Sequence, residues 1–125
     1  MNEIKFFIPG PLPGMNEMID QARTHWSESA KSRKMWVRHI SNIIGNVPRF
    51  EQVYIYYHWL EKDRRRDPDN IVAGMKLIND AMIDAGLISN DGWLQIIGFQ
   101  HTWSVDKKRP GCYVRVVNVE GGDRI

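Results

Sequence analysis

The chain of 125 residues contains a single cysteine, Cys112, so an intrachain disulfide framework is excluded. The paired cysteine and histidine spacings of structural zinc sites are missing as well. No apolar run approaches the roughly 20 residues that a bilayer span requires. The N-terminal segment, residues 1–8, lacks the long apolar core of a signal peptide. We therefore expect a protein of a reducing, cytoplasmic setting that has no membrane partner.

Composition is ordinary for a folded protein, with 42% hydrophobic and 26% charged residues, which argues against a disordered chain. At this length one domain with its own core is expected. The net charge of +2 is too small to indicate a partner. Basic residues are concentrated at 23–39, 62–66 and 107–115 instead. Such patches can follow a phosphate backbone, although a solvated face is the commoner explanation of any single patch.

Hydrophobic periodicity and turn residues predict three helices and four strands. The helices are expected at 15–23, 27–44 and 68–85, and the strands at 4–8, 52–60, 94–105 and 112–120. The last two strands, joined by a basic turn, are expected to pair as an antiparallel hairpin. The order of elements implies a single α+β domain over 1–120, with helices packed on a mixed or largely antiparallel sheet. Residues 121–125 are expected to form a flexible tail.

The most informative stretch of the sequence is RRRDPDN, residues 64–70, after which a predicted helix ends shortly before Asp91. Three arginines directly precede two carboxylates, Asp67 and Asp69, and Asp91 supplies a third. Carboxylates bind hard cations such as Mg²⁺ through oxygen. Arginine grips phosphate in a planar, bidentate way. Together these residues favour a metal-dependent phosphodiesterase that acts on a nucleic-acid backbone.

A purely structural explanation of the same residues exists. Asp67 is a good N-cap, Pro68 suits the first helical position, and Asp69 favours the positive end of the helix dipole. Asp91 begins an ordinary Asp-Gly turn pair. Two features favour a site instead. A helical cap needs no arginines before it, and Asp69 shares the polar face of the helix with Lys76, opposite an apolar stripe.

The order of these motifs resembles the RusA family of Holliday-junction resolvases, and its phage and prophage members most closely. The resemblance rests on the Asp-Pro-Asp-Asn sequence at 67–70, on the helix that carries Lys76 and Asp80, and on the segment 85–93 with its Asp-Gly-Trp sequence. The proline-rich loop that ends in Asn16 is also similar. The resemblance covers most of the chain in order.

The resemblance implies a Mg²⁺-dependent endodeoxyribonuclease, with Mn²⁺ able to substitute. Such an enzyme would resolve Holliday junctions or related branched DNA in recombination and repair. It would act as a homodimer whose two sites cut opposed strands symmetrically. Asp67, Asp69 and Asp91 would be the catalytic, metal-binding acids, and Lys76 would be the catalytic lysine.

The sequence departs from the family in two places. Its segment from Asp67 to Asp91 is longer than in the best-known members, which moves Lys76 by one helical turn. Asn90 stands where many relatives have another acid. The candidate DNA contacts are Asn16, Arg64, Arg65, Arg66, Asn70, Lys107, Lys108 and Arg109, although one or two of the arginines can serve only to balance local acids.

Two alternatives stay open at the level of sequence. The chain can be a non-catalytic nucleic-acid-binding protein whose acidic residues only cap a helix. The same chemistry can also act on flaps, forks or ordinary duplex, because branch selectivity depends on dimer geometry. The tryptophans at positions 26, 36, 59, 93 and 103 are expected mainly in the core, and Trp93 is the one candidate for a junction contact.

Overall fold

The computed structural model describes residues 2–24 and 26–119, without the side chain of Trp26. The strands are β1 (Glu3–Pro9), β2 (Val53–Glu61), β3 (Ile96–Val105) and β4 (Gly111–Asn118). The helices are α1 (Met15–Thr24), α2 (Trp26–Ile44), α3 (Pro68–Ile71) and α4 (Met75–Asp84), with a 3₁₀ turn (Val72–Gly74) between the last two. The expected tail, and position 120 at the predicted end of the last strand, lie outside the described residues.

The predicted α+β class is confirmed, because the helices pack on a four-stranded mixed sheet of order β1-β4-β2-β3. β4 is antiparallel to both β1 and β2, whereas β3 is parallel to β2. β2 is central and runs through alternating buried positions that end in a fully buried stretch. Its richness in β-branched and aromatic residues explains why it takes this place.

The predicted hairpin between β3 and β4 is wrong, because β2 lies between these two strands. The connection at 106–110 passes the end of β2, where the Asp106 amide donates to the Glu61 carbonyl at 2.8 Å. Neighbouring strands are about 4.8 Å apart, so a five-residue connection easily reaches across one intervening strand. The apolar β2 gains partners on both sides by this insertion, which a direct hairpin would deny it.

The helix predicted at 68–85 is interrupted rather than continuous. Its middle tightens into the 3₁₀ turn, at which Gly74 is buried against Trp59 and Leu12. A Cβ at Gly74 would meet the Trp59 ring at 3.2 Å, so the close approach requires glycine. The predicted stop is confirmed, since Gly86 has φ +81° directly after the end of the helix.

The core lies between the helices and one face of the sheet. Its fully buried members include Ile55, Tyr57 and Trp59 of β2, Ile40 of α2 and Ile78 of α4. The Tyr57 hydroxyl is bonded to the buried side chain of Asn79, which satisfies both polar groups. Among residues 2–24 and 26–119, no helix combines the length and the apolarity that a membrane crossing demands.

The tryptophans divide between core and surface. Trp59 is buried and Trp36 is half-buried, as expected, whereas Trp103 is 42% exposed and Trp93 is 95% exposed. The expectation of a mainly buried set therefore fails for the two that lie in or just before β3.

Candidate functional site

The start of α3 is formed without the side-chain cap that its sequence suggests. Asp67 has extended backbone angles, and its carbonyl accepts the amides of Asn70 and Ile71 at 3.0 and 3.1 Å. Its carboxylate makes no capping hydrogen bond and is exposed. The Asn70 amide also donates a hydrogen bond to Asp69 Oδ1 at 2.9 Å. The structural explanation of Asp67 as a side-chain cap therefore loses its main support.

The proline-rich loop is tied to this helix start. Asn70 Oδ1 accepts the backbone amide of Asn16 at 2.9 Å, and the Gly14 amide donates to Glu17 Oε2 at 3.1 Å. A Cβ at Gly14 would lie 2.7 Å from Asn70 Oδ1, so only glycine allows this approach. The structure thus brings the two predicted asparagines together, with the side chain of one meeting the main chain of the other.

Lys76 is held between two acids on the polar side of α4. Its Nζ lies 3.0 Å from Asp91 Oδ2 and 3.1 Å from Asp80 Oδ1. Asp80 in turn accepts from Arg33 at 3.1 Å. The hydrogen bond to Asp91, followed by the one to Asp80, raises the pKa of Lys76 above its ordinary value. Lys76 is therefore a stable cation and hydrogen-bond donor rather than a base.

Asp91 lies close enough to Tyr57 of β2 to act on it electrostatically. Burial raises the pKa of Tyr57, and the Asp91 charge contributes to the same rise. Tyr57 is therefore a neutral hydroxyl at ordinary pH. The side chain of Asp91 is only 22% exposed, so its carboxylate faces protein groups as well as solvent.

The three predicted metal ligands are not assembled into one cluster. Within residues 2–24 and 26–119, no three histidine, cysteine or acidic side chains are close enough together to hold a metal ion. The predicted convergence of Asp67, Asp69 and Asp91 is thus not found within one chain. Their oxygen chemistry still fits Mg²⁺, which commonly takes one or two carboxylates and completes its shell with phosphate oxygens and water.

The three arginines before α3 have different environments. Arg66 donates to both Glu61 oxygens at 2.8 and 2.9 Å, to the Leu12 carbonyl at 2.9 Å and to Glu17 at 3.4 Å. The bond to Glu61 raises the pKa of Arg66, and its side chain is 18% exposed. Arg64 and Arg65 are exposed. Arg66 therefore holds the proline-rich loop, and the other two remain accessible to a ligand.

The basic turn before β4 is ordered by Asp106, whose Oδ1 accepts the amides of Lys108 and Arg109 at 3.0 Å each. The Arg109 guanidinium lies 4.0 Å from the centre of the Phe7 ring, while Lys107 and Lys108 are exposed. This turn directly follows β3, whose end borders a cleft of about 290 Å³ at the start of α3. The lining of that cleft includes Arg64, Asp67, Pro68, Trp103 and Ser104.

Asp80 and Arg33 join this site although neither is among the predicted site residues. Asp80 stands four positions after Lys76 on one helix, and this spacing by itself predicts a contact. Arg33 comes from α2 and reaches Asp80 only through helix packing, so no local pattern identifies it.

No protein-family model matches the chain, and no curated protein matches it in sequence.

Proposed function

We propose that this protein is a Mg²⁺-dependent endodeoxyribonuclease of the cytoplasm that resolves Holliday junctions or related branched DNA, as its resemblance to the RusA family implies. We propose further that it acts as a homodimer. The observation that supports the proposal most is the 3.0 Å contact between Lys76 and Asp91, because it brings together two of the residues to which the resemblance gives a catalytic role. The second support is that the Asp67 carboxylate makes no capping hydrogen bond.

The resemblance names Asp67, Asp69 and Asp91 as the residues that would hold the metal, which requires the three carboxylates to come closer together than they do in the described part of one chain. When bound, Mg²⁺ would neutralise phosphate charge and lower the pKa of a coordinated water. Asp67 and Asp69 are exposed and are separated by one residue at the start of α3, where a metal–phosphate complex can reach both.

Lys76 supplies positive charge to the phosphate. Its side chain is 55% exposed, so a phosphate oxygen can accept a hydrogen bond from its ammonium without unfolding of the helix. Asp80 and Asp91 hold the long side chain in one region, which lowers the entropy lost when it meets substrate. A fixed donor of this kind stabilises the charge that develops on the phosphate or on the leaving oxygen.

The exposed cations around the start of α3 position the DNA backbone. Arg64 and Arg65 precede the acids, and Lys107 and Lys108 follow the β3 end of the adjacent cleft. Contacts of this kind are sequence-independent and weaken as salt is added. Arg66 acts indirectly, since it keeps the proline-rich loop against the helix that carries the acids.

The decisive experiment compares a four-way junction with a linear duplex of the same arm sequence, with Mg²⁺, with Mn²⁺ and with a chelator. We expect metal-dependent cleavage that favours the junction. The rival, a non-catalytic nucleic-acid-binding protein, predicts salt-sensitive binding and no nicking in either metal. Equal cleavage of both substrates would keep the chemistry and reject the branch selectivity.

The variant Asp69→Asn tests the assignment of the acids. Cleavage should fall at least about 100-fold, while junction binding is retained or tightened because a negative charge facing phosphate is removed. Asp84→Asn, the same change at an exposed position of α4, is the matched control and should cleave normally. An Asp69→Asn protein that cuts at the wild-type rate would remove Asp69 from the mechanism.

A further inference from the structure

β3 is an edge strand that has little of the usual protection of an edge. It is ten residues long, IIGFQHTWSV, and in the described part of the chain it pairs with β2 alone. The strand contains no charged residue and no proline. Native edge strands usually carry lysine, proline or bulges, or are covered, because their open backbone otherwise pairs with another chain. β3 carries one such irregularity, a register shift between Ile96 and Gly98 opposite Val53 and Tyr54, and the rest of the strand has no such defence.

One face of β3 continues the hydrophobic core beyond the helices. His101 and Trp103 stand beside the buried Tyr57 and Trp59 in the parallel register, and His101 stacks on Tyr57 at 4.7 Å between ring centres. Beyond the register shift, the face consists of Phe99, His101, Trp103 and Val105. Its large apolar side chains are 42–43% exposed. It extends a packed core yet remains open to solvent.

This face is self-complementary about its centre. If two copies pair antiparallel with His101 opposite itself, Phe99 of each copy lies opposite Trp103 of the other. Two aromatic pairs then flank the centre, and aromatic pairs are favourable across strands. A two-fold symmetric contact requires such self-complementarity, whereas a contact with an unrelated protein does not.

We propose that β3 is the surface through which two copies of this chain associate, paired antiparallel about His101. The absence of cations on the strand argues against a phosphate backbone as the occupant. A standard interface buries about 800 Å² on each partner, more than one strand supplies. Trp93 and Leu94, which immediately precede β3 and are 95% and 67% exposed, enlarge the apolar surface.

This proposal names the surface through which the proposed homodimer would form. It rests on the proposed function only in what it implies for the placement of the two DNA-cleaving sites. β3 directly follows the loop that carries Asp91, so the same two-fold axis would relate the two Lys76–Asp91 pairs. Association through β3 would thereby fix the geometry with which two sites approach one DNA.

Solution mass tests the surface. By analytical ultracentrifugation the full chain should sediment as two copies, and Phe99→Glu or Trp103→Glu should reduce the mass to the 14.6 kDa of one. Both positions are over 40% exposed in one chain, so the charge is tolerated by the monomer. Met35→Glu, at an apolar position of α2 that is 71% exposed, is the control and should remain dimeric. A wild-type monomer, or charged β3 variants that stay dimeric, would overturn the proposal.

Cross-linking tests the register. A protein with both Phe99→Cys and Trp103→Cys should form a covalent dimer on mild oxidation, because directly opposed Cβ atoms of paired strands lie about 5 Å apart. Either single variant should not, since four residues along a strand separate the two copies of one position by about 13 Å. The natural Cys112 is buried and does not interfere. Covalent dimers from single variants, or none from the double variant, would reject the register.

The two proposals fail separately. A dimer through β3 that cleaves no DNA would leave this surface standing and remove the nuclease. Metal-dependent cleavage by a protein whose charged β3 variants remain dimeric would keep the nuclease and remove this surface.

Discussion

Arg66 and Lys76 are both cations held between two carboxylates, yet their surroundings differ. The Arg66 side chain is 18% exposed and makes a bidentate pair with a glutamate that is itself buried. The Lys76 side chain is 55% exposed, and each of its contacts uses a single carboxylate oxygen. Both pKa values are raised, and in each case the first cause is a carboxylate hydrogen bond. The difference therefore lies in burial and geometry rather than in charge.

Burial decides what each cation can do. A largely buried, bidentate pair commits most of the guanidinium donors to the protein, and its loss strands a carboxylate away from water. An exposed pair contributes little to stability and exchanges partners readily. Arg66 is thus part of the scaffold, and Lys76 is available to substrate, although sequence places both among basic residues near the acidic motif.

The largest expected effect is that of Arg66→Ala, which would leave Glu61 buried without its cation. We expect a loss of about 2–3 kcal/mol in the free energy of unfolding, somewhat less than for a fully buried pair because Arg66 keeps some exposure. Urea denaturation measures it. Arg64→Ala, at the exposed neighbour, is the matched control and should change stability by less than about 0.5 kcal/mol. Equal losses of unfolding free energy in the two variants would show that Arg66 is no more part of the scaffold than Arg64.

Lys76→Met should show the reverse pattern. The change keeps the length of the side chain and removes its charge, so cleavage of a junction should fall about 100-fold, while the free energy of unfolding changes by less than about 1 kcal/mol. Single-turnover kinetics and urea denaturation measure the two quantities. Lys34→Met, at an exposed lysine of α2, should alter neither. Loss of stability without loss of cleavage would make Lys76 a scaffold residue like Arg66.

Gly14→Ala probes the loop that Arg66 holds. The added Cβ would lie 2.7 Å from Asn70 Oδ1 and 2.9 Å from the Asn70 carbonyl, so loop and helix must separate. We expect a cost of about 1–2 kcal/mol, measured by thermal or urea unfolding. Gly92→Ala is the control, because the nearest atom there is 3.5 Å away. Unchanged stability would show that the loop adjusts freely.

The smallest effect concerns the charge of Lys76. Because its pKa is raised, its ion pairs are complete below its ordinary pKa and are lost as the pH rises through the raised one. Asp80→Asn removes the carboxylate that makes the second of the two raising bonds, so the pKa of Lys76 should move toward its ordinary value. NMR titration of the lysine side chains measures the shift. A Lys76 pKa that is the same with and without Asp80 would contradict the observed contact.

Local pattern was sufficient for the positions of most elements, because side-chain periodicity reports which face is covered. β2 was expected at 52–60 and runs from Val53 to Glu61. Gly86 ends its helix by taking a left-handed conformation, and this role depends only on the residues next to it in the chain. The mixed α+β architecture follows from the order of these elements.

Local sequence pattern did not predict which strands pair or what surrounds individual side chains. The strands at the C-terminal end look like a hairpin, yet β2 separates them, because strand partners are chosen by burial across the whole sheet. Asp67 has the position of a cap residue, but its side chain makes no capping bond. Phe99 and Trp103 look like core residues and are exposed at an uncovered edge.

The sequence by itself determined the α+β class, the succession of strands and helices, and the identity of the acids and cations that make a nuclease the best proposal. Only the tertiary structure decided that Arg66 is committed to Glu61, that Lys76 lies between Asp80 and Asp91, and that β3 forms an open apolar edge. The physical reason is that periodicity and capping act between neighbours along the chain. Burial, ion-pair geometry and strand partners depend on segments that meet only in the folded molecule.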